Sequence, residues 1–372
     1  MTLQCLTFQS ERAHDAALHL ANTRFVRSTL PDPAPGQINV RVDAFALTAN
    51  NITYGVAGDS IGYWKFFPAP EPWGCIPVWG FGEVVQSNCP DVGVGQRFYG
   101  YYPMASHTVL QPVRVSAHGF MDGAAHRSEL PPVYNQYLNV ATDPGYDRHR
   151  EAEQMLYRPL FMTSFFLDDF LAEQDFFGAA NVILTSASSK TSIGLAHLLH
   201  SNRREQCRVL GLTSAGNRAF VESLGCYDSV CTYDEVAQLP GERSVLVDMA
   251  GSGSIRRAVH THLGDALAYS CAVGATHWES ATIGAGGEVL PGPKPTMFFA
   301  PSQIQKRNQE WGRETVAARI AEALQGFLPA AADWIRVQRL EGRAALEATY
   351  QAFLAGEADP ASGYVLQLRA DD

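Results

Sequence analysis

The spacing of apolar positions changes along the chain. Over the first third they alternate or run in short β-branched bursts, in QINVRVDAFAL (37–47), CIPVWGFGEVVQS (75–87), GQRFYGYY (95–102) and HTVLQPVRV (107–115). Gly and Pro punctuate these runs, a pattern that predicts short strands in a small barrel or rolled sheet. Residues 116–159 have few periodic segments and many turn residues, and they read as an insertion or an extended surface loop. From about residue 165 strand and helix signals alternate. NVILTSA (181–187), RVLGLTS (208–214), SVCTY (229–233), RSVLVDMA (243–250) and ALAYSCAVG (266–274) read as strands, with TMFFA (296–300) as a last one. Helices are expected over 192–205, 217–225, 254–264 and 313–328, and strand text returns at 333–340 and 363–368. Alternation with short connections predicts an α/β fold: a β-rich part followed by a right-handed, doubly wound, mostly parallel sheet.

Composition narrows the function classes. A chain of 372 residues allows two domains of ordinary size. With 28 basic against 38 acidic residues it has no basic stripe, which sets nucleic-acid partners aside. The most apolar stretch, RPLFMTSFFLDDFL, is broken by Asp168 and Asp169, so no membrane span is expected. The N-terminus lacks a signal-peptide pattern. Seven scattered cysteines without a C-x-x-C pair read as reduced thiols and a cytoplasmic location.

The stretch TSASSKTSIGLA (185–196) joins a strand signal to a helix signal, where phosphate-binding loops occur. A nucleotide-triphosphate loop, G-x-x-x-x-G-K-S/T, finds its last pair in Lys190 and Thr191, but Leu184 and Ser189 stand at the glycine positions. A dinucleotide loop fits better. Serine replaces glycine wherever φ is negative, and the hydroxyls of Ser186, Ser188, Ser189, Thr191 and Ser192 add donors. Lys190 brings a positive charge, and Gly194 supplies the glycine that allows close helix-to-strand packing. The second strand ends in LTSAGNR without the carboxylate that an NAD-specific ribose site uses. Ser214, Asn217 and Arg218 instead suit a 2′-phosphate, which places NADP(H) ahead of NAD(H). The alternative is that Asn217 and Arg218 only cap and solvate a helix start.

These segments together resemble the medium-chain dehydrogenase/reductase superfamily, especially its zinc-free quinone and enoyl reductase branch. PAPGQINVRVDAFALTANNITYGVAGD is similar to its opening strand and active-site segment. GFGEVVQSNCPDVGVGQRFYG is similar to the segment ending in its Gly-Asp-x-Val turn, with Gln96 replacing the Asp. TSAGNRAFVESLGCYDSVCTYDE and LEGRAALEATYQAFLAGEADPASGYVLQL match later parts, while 116–160 and 275–312 fit poorly. The resemblance implies a GroES-like domain from 1–165 and 306–372 around a Rossmann domain at 166–305. It implies NADP(H), a small-molecule substrate and a homodimer, the last supported by TMFFA as an edge strand needing cover. It also implies no metal, because Ala49, Asn50 and Asn51 stand where a zinc ligand would be and no Gly-His-Glu occurs near Gly80. His260 and His262, two apart on a predicted helix, would diverge, and His197 and His200, which could share a helix face, read as a solvated surface pair rather than a metal site.

Without zinc, the substrate needs a hydrogen-bond or proton donor. ANNITYGVAGDSIGYWKFFP offers Tyr54 or Tyr63 as donor, Asn51 to orient and Lys65 to stabilise negative charge. The alternative is that Tyr63, Trp64, Phe66 and Phe67 merely pack a loop. The resemblance to related reductases implies Tyr233 as a contact to the adenosine phosphate, the alternative being a half-buried strand aromatic, and Gly251 and Gly274 end strands at the carboxyl edge, where ligands bind. Two other functions stay open. One is an NADP(H)-binding sensor with little turnover; the other is a serine hydrolase using Ser60 in GDSIG, although three prolines follow where that motif needs a helix.

Overall fold

The structure is a computed structural model and describes residues 2–12, 20–60, 62–273 and 290–372. They group into two compact units, Met1–Leu156 with Ile335–Asp372, and Tyr157–Trp334. The sequence places the joints at 165/166 and 305/306; the observed contacts lie at 156/157 and 334/335.

The first unit is built on two sheets. One has three antiparallel strands, Leu3–Glu11 between Thr23–Leu30 and Trp73–Gly74. The other has nine strands and is centred on Ile38–Leu47, whose residues are mostly buried because it pairs with Pro77–Ser87, His107–Leu110 and Ser362–Gln367. Ser362–Gln367 also pairs in parallel with Arg336–Glu341, the crossover being the helix Arg343–Leu354. The segment HTVLQPVRV forms two strands rather than one, His107–Leu110 and Pro112–Ser116, which take different partners.

Residues 116–159 are no surface insertion. Gly119–Asp122 and Gln136–Asn139 extend the larger sheet, and the helix Glu151–Glu173 begins before the segment ends. Four-residue strands are too short to show an alternation. Their register needs Gly119, which has φ 136°, and a Cβ there would lie 1.9 Å from the Tyr137 carbonyl oxygen.

The second unit carries one parallel sheet. Its strand order is Ser229–Thr232, Arg208–Thr213, Asn181–Leu184, Ser244–Asp248, Leu267–Ala272 and Thr296–Met297. The first strand in sequence, Asn181–Leu184, thus lies in the middle, and the strand order reverses beside it. With right-handed crossovers such an order puts helices on both faces, so the strands are buried on both sides. Ile183, Leu210, Leu212, Leu246, Val259 and Leu263 pack in one cluster there. At the sheet edge TMFFA gives a strand of only two residues before the helix Ala300–Glu310. Among the described residues no helix is long and apolar enough to cross a membrane. Asp168 and Asp169, which interrupt the apolar run, pair with Arg203 at 3.0 Å and Arg307 at 2.7 Å. The helices Glu151–Glu173 and Arg313–Trp334 meet through Phe161 and Phe327, with ring centroids 4.9 Å apart; the latter, and the former from Tyr157 on, group with this unit.

Candidate nucleotide loop and tyrosine cluster

In the second unit the loop after Asn181–Leu184 emerges where the strand order reverses, the usual place for a ligand in a parallel sheet. Ser189 caps the helix Lys190–Asn202, its Oγ accepting from the Ser192 amide at 3.3 Å. The Ser192 hydroxyl turns back to donate to the Thr185 carbonyl at 2.9 Å, so Ser192 is buried and structural. Ser186 adopts φ 50°, a left-handed conformation that costs a serine about 1–2 kcal/mol. The loop therefore does more than replace glycines at negative φ. Ser186 lies beside the Tyr233 hydroxyl, and burial raises the Tyr233 pKa against the pull of that contact.

Ser188 accepts from the Asn217 side-chain amide at 3.0 Å, which ties the loop to the end of the second strand. Ser214 precedes the turn Ala215–Asn217 and is exposed. Arg218 reaches Glu222 and Glu235, both at 2.9 Å, and these hydrogen bonds raise its pKa. The Thr191 carbonyl accepts from Ser164 at 2.8 Å. Gly194 is buried, but the close neighbour is a helix and not a strand: a Cβ there would lie 2.8 Å from the Ser164 hydroxyl. Gly251 has φ 65° and donates its N–H to Asp248 Oδ1 at 3.1 Å. Gly274 lies outside the described residues.

Sequence reasoning missed the knot that fixes this edge. Thr185, fully buried, donates to Asp248 Oδ1 at 2.8 Å and accepts from the amides of Met249 and Ala250 at 2.9 and 3.0 Å. Arg256 completes the set by donating to Asp248 Oδ2 at 3.0 Å. The one available signal was an aspartate ending an otherwise apolar strand. Nearby, the buried Thr213 hydroxyl at the end of the second strand has no hydrogen-bond partner.

The first unit holds the other candidates. Thr48 and Asn51 form a capping box at the start of the helix Ala49–Val56. Asn51 Oδ1 accepts from the Thr48 amide at 2.8 Å, and its Nδ2 donates to the Pro77 carbonyl at 2.9 Å. Its side chain is thus engaged in holding the turn. Tyr54 and Tyr63 are buried with ring centroids 4.5 Å apart. They meet two aromatics absent from the sequence-based candidates, Tyr101 and Tyr134, and Tyr134 in turn meets a third, Trp79. Burial raises the pKa of Tyr54 and of Tyr63, so both hydroxyls keep their protons at neutral pH. Lys65 is exposed on the turn Tyr63–Lys65, whereas its neighbours Tyr63 and Trp64 are buried. Ser60 follows a helix instead of a strand and bonds the Ala57 carbonyl at 3.2 Å, a context unlike a nucleophile elbow.

Among the described residues no three His, Cys, Asp or Glu side chains are grouped to hold a metal ion. His197 packs on Phe327 and Trp334, while His260 bonds Pro291 and Ser270.

Comparison with solved structures agrees with this architecture. CurA from Vibrio vulnificus, crystallised with NADPH, is 13% identical and superposes with a TM-score of 0.60 over 98% of this chain and 99% of its own. A Mesorhizobium loti protein assigned as an NADPH:quinone reductase is 13% identical, with a TM-score of 0.61 over 99% and 100%. The yhdH oxidoreductase from Salmonella enterica, in complex with NADP, is 15% identical, with a TM-score of 0.53 over 98% and 100%. The fold is that of the medium-chain reductases: a GroES-like β-rich unit and a Rossmann unit. No curated protein matches the chain in sequence. The profile described as "Protein of unknown function (DUF2855)" matches residues 45–359, and the chain belongs to that family.

Proposed function

We propose that the protein is a zinc-independent, NADP(H)-dependent oxidoreductase that reduces a conjugated carbonyl, enoyl or quinone compound. The observation that carries this is the serine-rich loop and helix start at the strand-order reversal of a parallel sheet. The donor set fits the nucleotide. The hydroxyls of Ser186, Ser188 and Ser189, the Lys190 ammonium and the helix N-terminus suit a pyrophosphate. The Thr213 hydroxyl lacks a partner, and Arg218 presents a guanidinium for a 2′-phosphate in competition with Glu222 and Glu235. Medium-chain reductases of this fold crystallise with NADPH or NADP, which adds support.

Bound NADPH would supply a hydride. The chain's own part is to hold the acceptor oxygen. Tyr54 and Tyr63, kept neutral by burial, donate hydrogen bonds to an oxygen that gains negative charge. Zinc independence is supported by Ala49, Asn50 and Asn51, none of which is a thiolate or imidazole. Homodimer formation through Thr296–Met297, beside the exposed Met297 and Phe299, is part of the same proposal and is read by light scattering.

Thermal unfolding with NADPH, with NADH and without ligand tests the reading. Ligand at about 100 times its dissociation constant adds about 2.7 kcal/mol. The expected result is a shift with NADPH that is reduced in Arg218→Ala and Lys190→Ala. Unfolding unmoved by either nucleotide refutes the proposal.

A further inference from the structure

Tyr63 stands on a turn that its own chain fixes only weakly. The turn Tyr63–Lys65 starts after Gly62 at φ 87°, and two amides close it, Lys65 donating to the Gly62 carbonyl at 3.0 Å and Phe66 to the Tyr63 carbonyl at 3.3 Å. Further support comes from Arg127, in the segment that reads from sequence as a surface loop. Its side chain is 1% exposed. Nε donates to the Phe66 carbonyl at 3.1 Å, and the guanidinium lies 4.4 Å from the centre of the Phe67 ring. Nη1 donates to the Tyr137 hydroxyl at 3.3 Å, and that hydroxyl donates to the Tyr101 carbonyl. Asp122 supplies the counter-charge 3.1 Å from Nη1, while its other oxygen accepts from the amides of Gln111 and Ala124, each at 3.1 Å. The Arg127 carbonyl accepts from the Asn135 side chain at 3.3 Å, on the turn Pro132–Asn135 that carries Tyr134. The two hydroxyls that these attachments bring together, those of Tyr63 and Tyr134, lie 3.0 Å apart.

We propose that Arg127 is a positioning residue, which sets the Tyr63 hydroxyl by fastening the Tyr63 loop with its side chain and the Tyr134 turn with its carbonyl. The inference rests on the reductase reading for the task of Tyr63, and adds to it the residue that holds Tyr63 in place. Stability alone does not account for the pair with Asp122, because apolar residues of the same volume often serve a core as well as a buried ion pair does. What the guanidinium adds is fixed direction. Its planar fork meets the Phe66 carbonyl, the Tyr137 hydroxyl and Asp122 at once, with its face on Phe67. A lysine ammonium keeps the charge for Asp122 but has no such fork. Without the fork Phe66 is released, and Tyr63 with it. A misplacement of about 1 Å at a reacting group can lower turnover about a hundredfold.

Two variants separate direction from stability. Arg127→Lys keeps the charge. The double variant Asp122→Asn with Arg127→Met removes both charges, and the amide oxygen still accepts from Gln111 and Ala124. Each is followed by urea unfolding, NADP⁺ titration, reduction of 9,10-phenanthrenequinone by NADPH, and crystallography. The expected result is folded protein with NADP⁺ affinity within about twofold of wild type, kcat roughly ten- to a hundredfold lower, and the Tyr63 and Tyr134 hydroxyls parted beyond about 3.5 Å. In a Tyr63→Phe background Arg127→Lys lowers kcat no further, since both act on one group. Hydroxyls still 3.0 Å apart in both variants, or an undiminished kcat in folded Arg127→Lys, overturns the inference. So does a loss in Arg127→Lys that adds in full to that of Tyr63→Phe. If the wild type does not reduce the quinone, the hydroxyl distance decides. Parted hydroxyls in variants of a chain that binds no NADP⁺ overturn the reductase reading and leave the positioning standing.

Discussion

Thr185→Val removes one oxygen and keeps the side chain's shape. In the native chain that oxygen donates to the Asp248 carboxylate and accepts from two backbone amides, all between 2.8 and 3.0 Å. A hydrogen bond to a charged group is worth about 1.5–3 kcal/mol, and each buried amide left without an acceptor costs about 1–3 kcal/mol. Asp248 keeps Arg256 and the Gly251 amide, so its charge stays compensated and the lower end of these ranges applies. The expected loss is about 4 kcal/mol, or about 8–16 °C in melting temperature for a unit of this size. Urea and thermal unfolding followed by circular dichroism measure it. Thr185→Ser, which keeps the hydroxyl and loses one methyl, should cost only about 1 kcal/mol. A valine variant as stable as the serine variant would refute the claim that this hydroxyl fixes the edge of the sheet.

Four other outcomes are expected. Asp122→Asn leaves the Arg127 charge buried without its counter-ion and should cost about 3–5 kcal/mol in urea unfolding. Gly194→Ala forces a methyl to within 2.8 Å of the Ser164 hydroxyl, costing about 1–3 kcal/mol, and Ser164→Ala in the same chain should recover part of it. Glu235→Gln relieves Arg218 of one of its two carboxylates, so NADPH should bind severalfold tighter with NADH unchanged; equal effects on both nucleotides would remove Arg218 from the 2′-phosphate site. His260 is held neutral by burial, its folded pKa lying below that of the unfolded chain. Its contribution to stability is complete above about pH 6.5 and is lost as pH falls from there to the folded pKa, by at most about 1.4 kcal/mol per pH unit. His260→Asn, followed by melting temperature against pH, should lack that part of the slope.

The Rossmann unit was legible because its strands are continuous apolar runs of four to six residues separated by helical text, and the order of such runs nearly dictates the topology. The serine loop was legible for the same reason, since a strand and a helix bracket it. The left-handed Ser186 was not, because nothing in a serine announces a positive φ that its contact with Tyr233 helps to hold. The tyrosine cluster was half legible. Tyr54 and Tyr63 share one segment, but Trp79, Tyr101 and Tyr134 come from two strands and a turn that only the fold brings together. Asn51 shows what a segment alone leaves out: its amide also closes the capping box of its own helix.

The strand Ser362–Gln367, which lies against the carboxyl half of Ile38–Leu47, sets an order of assembly. The second unit is one uninterrupted run, whereas the first needs a strand from near the opposite end of the chain. During synthesis the Rossmann sheet has all its strands before Phe45 meets Leu366. Until then Phe45 to Leu47 present an open edge, the kind of edge on which chains mispair. The long separation taxes the rate of closure far more than the final stability, because loop entropy grows only with the logarithm of length. The first unit therefore cannot complete its larger sheet until Ser362–Gln367 has been made.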